Sequence, residues 1–327
     1  MKCTNNTFIK KIVVLLILNS MIFSMAGCTK SSLPLDFKVT NDLSTANIDN
    51  KVDGFSTNLA VSEANVVGKA GFNAEDESAA GLFDVNDAKV LYAKDIYSQM
   101  NPASLTKIMT AICALKYGNL SDTIICGENV NKLEPGASTC GLKPGDHLSL
   151  EQALYFLLLP SANDAAIAIA EHISGSVEQF SVLMNTEANR LGATTTNFVN
   201  PHGLTQENHY TTVYDMYLIT NEAIHYSKFL EIIQESTYTT TITDGSGVTK
   251  TIDVKTSNKF HDGTYTSPER ITVIGGKTGT TTAAGSCLAL VTRDSKNNPY
   301  ISVILHASDR GKLYEEMIEL LEEINSK

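Results

Sequence analysis

From residue 79 onward the spacing of apolar positions changes period several times, and each change marks an element. Ala79 to Lys94 (AAGLFDVNDAKVLYAK) puts apolar stretches on either side of an Asn86-Asp87 turn, which predicts two strands. Pro102 then opens a helix that carries Leu105, Ile108, Ile112 and Leu115 on one face and stops at Gly118. Thr123 to Leu148 is extended and turn-rich, broken by Pro135-Gly136 and Pro144-Gly145. Ser149-Leu-Glu-Gln152 has the form of a capping box, and the helix it starts ends at Pro160. Ala162 to Ile173 is apolar on most faces, which predicts a central helix, with Gly175 as its stop. An amphipathic helix follows from Ser176 to Leu191-Gly192, then a loop over 194–210 and a helix around Tyr214–Tyr226. Thr237–Thr243 and Val248–Val254 alternate about Gly245-Ser-Gly247, as a hairpin does. Three further strands are predicted at Ile271–Thr280, Ser286–Arg293 and Tyr300–His306. A closing helix, Leu313–Ile324, buries Leu313, Met317, Leu320, Leu321 and Ile324. Strands at both ends with helices between predict one sheet built from N- and C-terminal segments and covered by helices.

The first 57 residues follow different rules. Lys2, Lys10 and Lys11 precede the apolar run Ile12–Leu18, and Ala26-Gly27-Cys28 follows. A basic start, a short apolar core and small residues before a cut describe a secretory signal, 1–27. Cys28 after Ala-Gly resembles the lipobox of bacterial lipoproteins, with Met25 where that pattern usually has Leu. A plain secretory signal and a membrane-spanning anchor are the alternatives, and all three put the rest of the chain outside the cytoplasm. Residues 28–57, rich in Ser, Thr, Asn and Asp, read as a flexible tether. Residues 58–327 are left as one folded domain.

Composition narrows the function. The 327 residues carry 25 Lys+Arg against 36 Asp+Glu, a net charge of −11 with no basic cluster, which argues against nucleic acid as partner. Loss of the three leader lysines takes the mature chain to −14. Beyond the leader and Cys28 the cysteines are Cys113, Cys126, Cys140 and Cys287, too few for a disulfide scaffold. Cys113 and Cys287 lie in apolar runs and read as buried small hydrophobes; Cys126 and Cys140 flank a Pro-Gly turn, where pairing stays open. The seven His are scattered without metal-ligand spacing, so neither a metal nor another cofactor is expected. His202 and His209 read as loop or packing residues, and Asp164 as a structural or helix-terminal charge.

Three short motifs carry chemistry: Ser104-Leu-Thr-Lys107, Ser161-Ala-Asn163 and Lys277-Thr-Gly279. Ser104 and Lys107 stand one helical turn apart on one face. A serine hydroxyl attacks only when a neighbouring base takes its proton, and a lysine is a base only when neutral. Burial, the helix dipole and a second cation, for which Lys277 is the candidate, all lower a lysine pKa. Ser161 falls at the junction of two buried helices, just after Pro160. Gly279, without a side chain, lets another backbone approach, so a peptide can add as an extra strand. The N–H groups of Ser104 and Thr280 are candidate oxyanion donors, each worth about 3 kcal/mol in such sites.

This set resembles the penicillin-binding proteins and β-lactamases. PASLTKIMTA (102–111), GLKPGDHLSLEQALYFLLLPSANDAAIAIAEHISGS (141–176), FVNPHGL (198–204), HYTTVYDM (209–216) and GGKTGTTTAAGSCLALV (275–291) are similar to the serine D-alanyl-D-alanine carboxypeptidases of peptidase family S11. The likeness covers about residues 79–327. It implies an α/β, penicillin-binding protein/β-lactamase-like fold: an antiparallel sheet flanked by helices, plus a helical subdomain. By the same resemblance Ser104 is the acylated nucleophile, Lys107 its general base and Ser161 the proton relay. Asn163 would hold Lys107 and the substrate amide, while Lys277, Thr278, Gly279 and Thr280 would bind substrate. Arg310 matches loosely an arginine that binds the substrate carboxylate. The implied partners are peptidoglycan stem peptides ending in D-Ala-D-Ala, β-lactam inhibitors and, through a lipid on Cys28, the outer face of the cell membrane. Many members continue past the closing helix into a β-rich domain and a membrane helix; this chain stops at Lys327, so the N-terminal lipid is the expected anchor. A serine β-lactamase, an endopeptidase and a non-hydrolysing penicillin or peptidoglycan sensor are the competing readings. The Glu-x-x-Leu-Asn string common in β-lactamases does not occur.

Overall fold

The computed structural model describes residues 58–327. The predicted leader, Cys28 and the tether lie outside the described residues. The first hairpin forms as the apolar pattern predicts, from β1 (Ala79–Asp84) and β2 (Lys89–Lys94). One 3₁₀ turn, Ala103–Leu105, then leads into α1 (Thr106–Tyr117). Every residue from Thr106 to Ala114 is buried, so α1 is central rather than amphipathic. Gly118 does end α1, but in an extended conformation with φ −112°. The reason for glycine there is packing, since a Cβ would sit 2.5 Å from Leu150 Cδ2.

Two short strands, β3 (Thr123–Ile125) and β4 (His147–Ser149), precede α2 (Leu150–Leu158). Ser149 and Gln152 complete the predicted capping box. Next come α3 (Asn163–Ser174), closed by a left-handed Gly175 at φ 81°, and α4 (Val177–Arg190). After α5 (Val213–Ala223) comes α6 (Ser227–Gln234), a two-turn helix that apolar spacing did not reveal. Its short apolar set, Phe229, Ile232 and Ile233, is buried by tertiary contact. The hairpin β5 (Thr237–Thr243) and β6 (Thr249–Lys255) precedes β7 (Thr272–Thr281), β8 (Gly285–Arg293), β9 (Pro299–Ala307) and α7 (Arg310–Asn325).

The expected sheet of N- and C-terminal segments is present: five antiparallel strands in the order β2-β1-β9-β8-β7. The expectation of a single sheet is corrected, because β3-β4-β5-β6 form a second one. There β5 meets β4 at one register pair, His147 with Thr243, a contact too local to leave a sequence signal. The five-stranded sheet is covered on both faces. Phe83, Ala289, Val291, Ile301, Val303 and Leu305 point into the larger core under α1 and α5. Leu82, Leu288, Leu290, Tyr300 and Ile304 point to α7, whose predicted apolar set is buried there. Two-sided burial explains why β8 and β9 read as nearly continuous apolar runs. Strand β7 is at the sheet edge, paired with a strand on one side only among the described residues.

Candidate active site

Lys107 is buried completely, and its ammonium nitrogen has three partners. It lies 2.9 Å from Ser104 Oγ, 2.6 Å from Asn163 Oδ1 and 2.6 Å from the His202 carbonyl. Ser104 occupies the 3₁₀ turn that leads into α1, three residues before Lys107, and at that spacing the two side chains meet. Burial pushes the Lys107 pKa well below its ordinary value, the charge of Lys277 lowers it further, and Asp164 opposes both. A neutral amine offers two N–H donors and one lone pair. Two of the three partners are carbonyl oxygens that only accept, so the lone pair is left for the Ser104 hydroxyl. That arrangement can draw a proton from Ser104.

Lys277 is also buried completely; its Nζ donates to the Thr278 carbonyl at 2.9 Å, and burial lowers its pKa to about 7. The next residues of β7 run across the start of α1. A Cβ on Gly279 would lie 2.8 Å from the Ser104 nitrogen and 2.9 Å from Ala103 Cβ, so glycine is what lets strand and helix start touch. Thr278 Oγ1 is 2.7 Å from Ser257 Oγ, and the Ser257 N–H donates to the Leu159 carbonyl beside the Ser161 turn. No motif pointed to Ser257; only the fold brings the end of β6 to this strand. Thr280 is exposed, opposite Ser286 in register.

Ser161 links α2 to α3 in a left-handed conformation, φ 65°, which costs a non-glycine residue about 1–2 kcal/mol. Its hydroxyl is buried without a hydrogen-bond partner among the described residues. An orphan buried hydroxyl on a strained turn is a feature that folding alone would not select. The turn is clamped by the 138–142 loop. The Ser138 carbonyl accepts from Asn163 N–H at 2.8 Å, and Asp164 accepts the N–H groups of Cys140, Gly141 and Leu142. Asp164 therefore has the structural role expected of it. Cys126 and Cys140 are free thiols in the structure, and burial raises the Cys126 pKa to about 12. Cys113 and Cys287 are fully buried, as expected.

His202, expected to be a loop or packing residue, lies in the FVNPHGL loop and gives its backbone carbonyl to Lys107. Its imidazole is held neutral, with a pKa lowered to about 3 by burial first and then by Lys107. Arg310 stands apart. It is the exposed first residue of α7, with no hydrogen bond or ion pair among the described residues. The structure thus joins Ser104, Lys107 and Asn163 by direct hydrogen bonds, and Gly279 by contact. Lys277 is joined to them through its field, Ser161 through the turn it shares with Asn163.

Comparison of the fold defines the class, that of the penicillin-binding DD-peptidases. A point mutant of the Streptomyces K15 DD-transpeptidase superposes with a TM-score of 0.71 at 25% identity, covering 76% of this chain and 97% of the other. Penicillin binding protein 6B of Escherichia coli gives 0.66 at 27% identity, covering 80% and 81%. Residues 68–309 match the Peptidase S11 family, D-alanyl-D-alanine carboxypeptidase, and the chain belongs to that family. Among its relatives, D-alanyl-D-alanine carboxypeptidase DacF of Bacillus subtilis is 39% identical over 158 residues, 47% of this chain and 40% of that protein. DacA of Haemophilus influenzae is 32% identical over 231 residues, 68% of this chain and 55% of that protein. The matches thus span only about half the length of these relatives.

Proposed function

We propose that this protein is a serine-type D-alanyl-D-alanine carboxypeptidase that removes the terminal D-Ala from peptidoglycan stem pentapeptides. The observation that carries the reading is the fully buried Lys107, bonded to Ser104 and held by two carbonyl oxygens. Ser104 Oγ attacks the carbonyl carbon of the penultimate D-Ala, and its proton passes to neutral Lys107. The N–H groups of Ser104 and Thr280 hold the oxyanion. The peptide C–N bond breaks as the departing nitrogen takes a proton relayed through Ser161, and D-Ala leaves. Water then attacks the Ser104 ester and gives its proton to Lys107. The C–Oγ bond breaks, and the shortened peptide and the Ser104 hydroxyl are regenerated. Lys277 and Thr278 receive the substrate carboxylate, and Asn163 the substrate amide.

A β-lactam acylates the same serine, but its broken amide stays tethered to the acyl group, which slows release. In this reading the enzyme works on the outer face of the cell membrane, anchored by a lipid on Cys28. The leader pattern supports that placement, and fatty-acid label persisting on a Cys28→Ala protein would remove it. For the activity, the purified protein is incubated with a D-Ala-D-Ala-ended peptide and with labelled penicillin, Ser104→Ala serving as control. Absence of both D-Ala release and adduct would sink the proposal. Rapid penicillin turnover would favour a β-lactamase, and adduct without peptide cleavage a sensor. Because the Streptomyces K15 neighbour is a DD-transpeptidase, an amine acceptor is included to detect transfer in place of hydrolysis. Muropeptide analysis shows whether a cross-link is the bond cut.

A further inference from the structure

The residue before the proposed nucleophile is held in an unusual way. Ala103 has φ 45°, a left-handed conformation that an alanine adopts only when its surroundings impose it. Its carbonyl accepts the N–H of Thr106 and also the Thr106 hydroxyl, at 2.8 Å. Thr106 Oγ1 lies 2.9 Å from His209 Nε2, and His209 Nδ1 lies 3.1 Å from the Val199 N–H. Thr106 is fully buried and His209 is 3% exposed.

These contacts fix every proton. The Val199 N–H can only donate, so Nδ1 is bare and the neutral imidazole carries its proton on Nε2. Nε2–H then donates to Thr106 Oγ1, whose own proton goes to the Ala103 carbonyl. Burial first, then the charge of Lys107, lowers the His209 pKa to about 4, so the ring stays neutral at physiological pH. Gly203, at φ 89° in the same loop, packs directly on the carbonyl, because a Cβ there would lie 1.8 Å from Ala103 O and 2.9 Å from Thr106 Oγ1.

The Ala103 carbonyl and the Ser104 N–H belong to one planar trans peptide, so they point in opposite directions. Drawing the oxygen into the core towards Thr106 turns the nitrogen outward to β7, where Gly279 passes. We propose that His209, acting through Thr106, is a positioning residue that aims the Ser104 N–H into the oxyanion site and polarises it as a donor. The inference rests on Ser104 being the acylated serine. Both groups act at a distance from substrate, so they change the rate of acylation and leave initial binding alone. A hydrogen-bonded chain that ends on the peptide oxygen also strengthens that peptide's N–H as a donor.

The experiment is single-turnover acylation by a fluorescent penicillin, resolved into a binding constant and a first-order rate, on the full chain. Thr106→Val keeps the shape and removes the hydroxyl; its rate is expected to fall roughly tenfold to a hundredfold, with binding unchanged within about threefold. Thr106→Ser restores the hydroxyl and the rate. His209→Gln keeps a donor near Nε2 and retains more activity than His209→Leu. Adding Thr106→Val to His209→Leu costs little more, because both break one chain. Nitrogen NMR of the wild type at neutral pH is expected to show the His209 proton on Nε2, a readout that needs neither variant nor turnover. A Thr106→Val rate within about threefold of wild type, or a proton on Nδ1, overturns the inference. Wild-type protein that penicillin does not acylate overturns the functional reading instead, and the inference with it.

Discussion

Replacing Gly279 by alanine adds one methyl group, and the structure gives the distance by which it does not fit. The new Cβ would stand 2.8 Å from the Ser104 nitrogen, against an ordinary contact of at least 3.4 Å. Strand β7 and the start of α1 must separate by about 0.6 Å, the difference between those distances. The obstructing atoms are the backbone nitrogens of Ser104 and Leu105 and the Cβ of Ala103, which is fixed to its own backbone, so no flexible side chain can swing away. An oxyanion held by one donor from each element, at about 2.9 Å, would then face one of them at about 3.5 Å, beyond useful hydrogen bonding. Losing one such donor lowers a rate by about 10²–10³, or roughly 3–4 kcal/mol of transition-state stabilisation. Overpacking of this kind costs about 1–3 kcal/mol of stability, so the variant is expected to fold. Stopped-flow acylation by a fluorescent penicillin and thermal unfolding, measured on the same samples, separate the two effects. A destabilised variant that acylates within about threefold of wild type would refute the reasoning, since the oxyanion site would then not depend on the contact between Gly279 and Ser104.

Other outcomes follow from the two buried lysines and the strained serine. The acylation rate at low penicillin is expected to be bell-shaped in pH, rising as Lys107 loses its proton and falling near pH 7 as Lys277 loses its charge. Lys277→Arg keeps a charge throughout and should move the alkaline limb up by several units; an unmoved limb would exclude Lys277 as its source. Lys277 also couples stability to pH. With a folded pKa of about 7 and an unfolded value near 10.4, the unfolded chain binds the extra proton between them. Wild type should therefore gain on Lys277→Met as pH rises through that window, by up to about 1.4 kcal/mol per unit, in denaturant titrations; parallel curves would contradict the assigned burial. Ser161→Ala removes a buried hydroxyl that has no partner among the described residues, so its melting temperature should hold or rise while acylation slows by at least about a hundredfold. A clear loss of stability would show that the hydroxyl has a structural bond.

Much of the fold was legible where burial is one-sided or a cap is local. The closing helix, the Ser149–Gln152 capping box and the β5–β6 hairpin each follow from the spacing of a few neighbouring residues. Helix α6 was not legible, because eight residues give too few turns for a period and Ile233 is buried only by what packs on it. Nor was the second sheet, whose join rests on one residue pair almost a hundred positions apart.

The site divides the same way. Local sequence determined that Ser104 and Lys107 share a helix face, because three residues are one turn, and that Ser161 sits at a helix junction, because Pro160 ends the helix before it. It determined nothing about protonation. Lys107 can act as a base only because the tertiary structure removes water from it, sets Lys277 within its field and surrounds it with the Asn163 and His202 oxygens. Ser257 and His209 entered the picture for the same reason. Desolvation and hydrogen-bond direction are properties of packed surroundings, and no window of sequence contains them.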